Sequence, residues 1–187
     1  AALALEQQLL EPFAAKAPED RTPDEAAIAL LAAALLFHRR ESLPFWWAHF
    51  ARMSATVEDW EHDGEMVVLP PGTVEVVVGW HVPEGKRSYQ RTLTALAELP
   101  GSFKLSANSE CHTIYDAPLP PLTKEPPNSN RGFRSSGRLV ALEPEGDRVR
   151  VTFTESLPAG TGVEPGPEQQ AVPAALSAGG PPPIGKL

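Results

Sequence analysis

The chain has 187 residues, 42% of them hydrophobic and 21% charged, with 21 prolines, one cysteine and a formal net charge of −8. That length can bury a core, and no apolar run reaches the roughly 18 residues a membrane-spanning helix needs, the longest being AAIALLAAALLF at 26–37. A lone Cys111 excludes an internal disulfide and a multi-cysteine zinc site, and a sequence pI near 5.1 argues against tight autonomous DNA binding.

Residues 1–63 read as helical. The clearest start is Thr22-Pro23-Asp24-Glu25, where Thr22 can accept from the first free amides, Pro23 suits the first helical position and Glu25 can reach back as a capping box. Ile28, Leu31 and Leu35 then recur at helical spacing with Leu36 beside them, which predicts a helix to about residue 40. Pro44 breaks a continuing helix yet fits the first turn of a new one, so ESLP at 41–44 is expected to be a corner. Beyond it Trp46, Phe50 and Met53 fall at i, i+4 and i+7 on one apolar face, with Trp47 about 100° away on the flank. Pro44, Trp46, Trp47 and Phe50 are therefore the expected structural corner, and the paired rings are read as packing it rather than as a base-stacking platform. Asp59, Glu61, His62 and Asp63 read as a solvated helix end.

Strand character runs from about 64 to 156. MVVLP, TVEVVVGWHV, RSYQRTLTALAEL, SFKLS, CHTIYD and GRLVALEPEGDRVRVTFTES are short runs rich in Val, Thr, Phe and Tyr, punctuated by Gly, Pro and Asn. The clearest hairpin alternates Leu139 and Ala141 against Val149, Val151 and Phe153, with Pro144-Glu145-Gly146-Asp147 as its turn. Five or six such strands predict a small antiparallel β-barrel. The proline-rich loop APLPPLTKEPPNSNRGFRSSG at 117–137 is expected to swing out from it. Residues 157–187 carry few large apolar side chains among many Pro and Gly, so they read as a disordered or linker-like end with a turn of helix near 168–178. The fold class is therefore α+β: a helical hairpin or stalk over 1–63, a β-barrel over 64–156 and a linker over 157–187.

Signals of catalysis fail on physical grounds. GPPPIGK at 180–186 matches a phosphate loop by count, but three prolines remove the amides that cradle phosphate and Leu187 stands where a hydroxyl must reach magnesium. Glu84-Gly85-Lys86 is the only triplet of the nuclease type, and it reads as a turn. No HExxH occurs among His38, His49, His62, His81 and His112, and Cys111-His112 point to opposite faces of a strand, a buried thiol and an exposed imidazole. No catalytic residue and no metal site is expected.

One stretch does carry a resemblance. LLAAALLFHRRESLPFWWAHFARM, followed by TVEDWEHDG and then the strand-rich region, resembles the middle of bacterial proteins that fuse a RecB-like nuclease to a superfamily 1 DNA helicase. In that family a helical stretch of the form LL-x-FHRRE-x-x-P-x-WW-x-x-F leads into a small β-barrel ahead of the phosphate loop. The match is specific over residues 30–50, where FHRRE, Pro44 and Trp46-Trp47 stand in order and spacing. It continues loosely to about residue 156, with YDAPLP and GRLVALE in the expected places. The chain departs from the family in its long 117–137 loop and in lacking both the nuclease triad and the helicase phosphate loop.

The resemblance implies a noncatalytic accessory region, stalk plus barrel, of an ATP-dependent helicase/nuclease acting in cytoplasmic DNA repair. ATP and magnesium would belong to the parent's motor, and no cofactor to this fragment. The expected partners are single-stranded DNA, held weakly, and the motor and nuclease domains of the same polypeptide, with no membrane. The chain does not begin with Met, which fits an excised piece. Residues 81–150 hold 10 Lys and Arg against 8 Asp and Glu, the only mildly basic part of the chain. Lys86, Arg87, Arg91, Lys104, Arg131 and Arg134 are therefore the expected phosphate contacts, with Tyr89 and Phe133 as stacking partners. The other reading is a docking module that uses the barrel and its proline-rich loop without binding nucleic acid.

Overall fold

The computed structural model describes residues 2–35, 37–126, 129–158 and 165–178, and the GPPPIGK stretch lies outside them. The chain forms two compact units whose boundary in sequence falls between Trp47 and Ala48. Residues 48–63 of the expected stalk thus belong with the sheet, and so do residues 165–178 of the expected linker.

In the helical unit, α1 (Ala2–Leu10) lies against α2 (Pro23–Leu35). The start of α2 is built as its sequence dictates: the Thr22 amide donates to Glu25 Oε2 at 2.8 Å and the Glu25 amide donates to Thr22 Oγ1 at 3.3 Å. Phe13 is buried with the Arg21 guanidinium 5.3 Å from its ring centre. Of the apolar face expected on α2, Ile28 is half-buried and Leu31 exposed, as is Leu30 beside it, while Ala32 is buried; Leu36 and the side chain of Leu35 lie outside the described residues.

The corner expected at Pro44 is also absent. Helix α3 (Phe37–Ser54) runs through Pro44, forgoing the one bond that an amide at 44 would make to the carbonyl of residue 40. Trp47 is exposed, Phe50 is 40% exposed with its ring 6.5 Å from that of Phe133, and Trp46 is half-buried, packed edge-on against Phe45 at 5.4 Å. The fully buried tryptophan is Trp60.

The sheet unit begins with the second half of α3 and with α4 (Val57–His62), whose N-terminus is closed by a Thr56–Asp59 capping box. Among the described residues seven antiparallel strands follow: β1 (Met66–Val68), β2 (Glu75–His81), β3 (Ser88–Ala97), β4 (Glu110–Asp116), β5 (Arg131–Glu145), β6 (Arg148–Pro158) and β7 (Ala175–Ala178), in the spatial order β1-β7-β4-β5-β6-β3-β2. One buried cluster joins Val67 and Leu69 near one edge with Leu93, Ala95 and Ala97 near the other, so the sheet curls around a single core. Among the described residues no ladder joins β1 to β2, and the curl stays open there.

The β5–β6 hairpin is as expected: Leu139 faces Phe153, Leu142 faces Val151, and Gly146 takes the positive φ of +66° that its tight turn requires. Three elements differ from expectation. SFKLS makes no ladder; Phe103 and Leu105 alternate as a strand would, but they pack on the core from a loop. The apparent linker supplies β7, where Leu176 joins the core cluster and Ala175 and Ser177 are buried, with β1 paired on one side and β4 on the other. The proline-rich loop is pinned rather than swung out. Its last part is the start of β5, Lys124 and Phe133 exchange both backbone hydrogen bonds at 2.9 Å, and a side chain at Gly132 would meet Thr123 Cγ2 at 2.3 Å.

Candidate functional site

The eight side chains expected to hold nucleic acid divide into two groups. Lys86 and Arg87 are exposed on the turn between β2 and β3, Tyr89 is half-buried just beyond it, and Lys104 is exposed with Nζ 3.5 Å from Glu65 Oε1. The other four are built into the fold.

Arg91 is 0% exposed and Arg134 3%. Arg91 Nε donates to Glu155 Oε2 at 2.7 Å, and its Nη2 lies 2.6 Å from the same oxygen and donates to the Ala171 carbonyl at 2.6 Å. The Tyr115 hydroxyl donates to Glu155 Oε1 and accepts from Arg91 Nη2 and Arg134 Nη1, each at 3.3 Å. Burial, and then the Glu155 charge, push the Tyr115 phenol well above its ordinary range, so it stays a hydroxyl and bridges the carboxylate to both guanidiniums. Arg134 also donates to the Pro121 carbonyl at 2.8 Å and to Gln169 Oε1 at 2.5 Å, and Gln169 in turn donates to Pro121 at 3.2 Å. Trp80 covers the outer side, with its ring centre 4.7 Å from the Arg91 guanidinium and its Nε1 donating to the Gln169 carbonyl at 3.1 Å. The network ties β3, β4, β5 and β6 to the proline-rich loop and to the segment before β7. It holds two cations against one carboxylate; the Ala171 and Pro121 carbonyls take some of the surplus donors, while Arg91 Nη1 and Arg134 Nε are buried with no partner among the described residues.

Arg131 is a brace of a different kind. Its Nε pairs with Asp116 Oδ1 at 2.8 Å, its Nη1 donates to the Ala55 carbonyl at 2.5 Å, and its plane lies 4.0 Å from the Trp60 ring centre. Trp60 Nε1 donates to the Arg52 carbonyl at 2.7 Å, and Ser129 Oγ donates to that of Met53 at 3.2 Å. The last carbonyls of α3, which have no partner inside the helix, are thus met by side chains from β5, α4 and the loop. Arg52 pairs with Asp63 and Glu65, each at 2.6 Å, so the acidic end of α4 is partly used rather than simply solvated.

Phe133 is buried against two histidines: His49 of α3 lies 4.4 Å and His112 of β4 5.3 Å from it, centre to centre, and the two imidazoles are 4.7 Å apart. His112, expected to face solvent, is covered by α3. Burial, and then the neighbouring His112, hold His49 down to about 4; burial, and then Lys124, do the same for His112. Both rings are neutral at pH 7. Cys111 is buried with its thiol pushed up to about 12, first by burial and then by Glu155, which removes its nucleophilic form. Glu84-Gly85-Lys86 is a turn with Gly85 at φ +71°. Among the described residues no three His, Cys, Asp or Glu gather as a metal site requires, and no helix is long and apolar enough to cross a membrane.

Comparison with protein families, with curated proteins and with solved structures gives no match to this chain.

Arg91 and Glu155 were findable in sequence. Arg91 shares its strand phase with the buried Leu93, Ala95 and Ala97, and Glu155 shares one with Val151, Phe153 and Leu157, so both point inward by period alone. Gln169 and Trp60 carry no such signal.

Proposed function

We propose that this chain is a noncatalytic accessory region of a DNA helicase/nuclease, and that it works chiefly by docking, its helical unit meeting the motor or nuclease domain of the same polypeptide. The observation that carries this is the exposure of large apolar side chains on that unit: Leu30 is 73% and Trp47 65% exposed, with Leu31 similar. Such surface on two short helices is costly in water unless another surface covers it. The FHRRE…P-x-WW resemblance supplies the occupant. The sheet unit's interior is braced by charge networks, as a rigid accessory domain demands.

The test is hydrogen exchange on the full-length polypeptide carrying Leu30→Asp and Trp47→Asp. The expected result is lost protection over α2 and α3, with the melting temperature of the isolated chain unchanged. Unaltered protection would overturn the docking reading.

A second reading, weak contact with single-stranded nucleic acid, is favoured by the exposed Lys86 and Arg87 beside Tyr89. Binding of labelled single-stranded DNA should then fall steeply with salt and vanish in Lys86→Glu/Arg87→Glu.

A further inference from the structure

The two edges of the sheet are treated differently. β1 has three residues, Met66 and Val67 are fully buried, and α4 lies against it. β2 has seven residues, pairs among the described residues on one side only, and is exposed along nearly its whole length, with Val77 60% exposed between two further exposed valines. An open edge carrying valines on both faces is a template for another strand.

The sequence of β2 says which strand. EVVVGWH is self-complementary about Val78: an antiparallel copy centred there sets Val78 against Val78, Val76 against Trp80, and the Glu75 carboxylate against the other copy's His81 at both ends. With β1 covered, head-to-tail stacking of edges is closed off, and β2 against β2 gives a dimer that ends growth after two copies.

We propose that β2 is a homodimerisation edge, on which a second copy of this chain pairs antiparallel about Val78. The inference rests on the sheet edge alone, so its failure leaves the docking function of the helical unit untouched. Seven residues on each side make a small interface, and the dimer is expected in the micromolar range.

Sedimentation velocity from about 1 µM to about 300 µM tests it. The wild-type chain is expected to pass from monomer to dimer, and Val77→Lys to weaken the dimer at least about tenfold without lowering the melting temperature, since Val77 packs on little. His81→Glu alone should weaken it by placing two carboxylates opposite one another at each end, and adding Glu75→Lys should restore it. A wild-type monomer at every concentration, a dimer indifferent to Val77→Lys, or a double variant no better than His81→Glu alone would each overturn the proposal.

Discussion

Arg131 and Trp60 form the joint of the sheet unit: the guanidinium lies 4.0 Å from the indole ring centre while its Nη1 caps the Ala55 carbonyl just past the end of α3. The indole nitrogen caps Arg52 from the other side. A cation that reads in sequence as a phosphate contact is therefore spent on a helix terminus.

Arg131→Lys should destabilise the chain by about 2 kcal/mol, because an ammonium cannot stack on the ring, pair with Asp116 and reach a carbonyl together. Urea unfolding measures it. A loss below roughly 0.5 kcal/mol would mean the joint is ornamental.

Trp60→Ala should cost about 3–5 kcal/mol, the range for a fully buried large aromatic. Trp47→Ala should lie within roughly 0.5 kcal/mol of wild type, because that ring is exposed. The reverse order would restore the corner at Pro44.

Glu155→Gln strands Arg91 and Arg134 as buried charges and should cost about 3–5 kcal/mol, whereas the triple variant Arg91→Met/Arg134→Met/Glu155→Leu, which removes all three charges together, should cost less. The contrast isolates charge pairing from packing. Equal losses would show that shape alone holds this part of the core.

Acid should loosen α3 from the sheet. His49 and His112 take a proton near 6.5 when unfolded and only at about 4 when folded, so the unfolded state binds protons first as pH falls. Their contribution is complete above about pH 6.5, declines below it and is gone at about 4, a loss on the order of 3 kcal/mol for each ring. His112→Phe should flatten the stability profile between pH 6.5 and 5, and an unchanged slope would contradict the assignment.

How much was legible in the sequence follows from range. The Thr22 cap, the β5–β6 hairpin and the α+β class rest on residues within a few positions of each other, and local chemistry determines them. β7 rests on ALSA, one leucine among three small residues with little strand signal of its own, ordered because β1 and β4 present unpaired edges that accept it. The charged candidates went astray for a related reason. Counting cations in a mildly basic segment ignores the strand phase that turned Arg91 inward toward Glu155, 64 residues away. Pro44 shows the opposite error, a local rule outweighed by the helix on either side of it.

The most direct test of the accessory-region claim is to read the encoding frame beyond both ends of these 187 residues. The account predicts a GxxxxGK[ST] loop after a strand within the next several dozen residues, and an Asp…Glu-x-Lys constellation upstream. A start codon immediately before Ala1 and a stop immediately after Leu187 would contradict it.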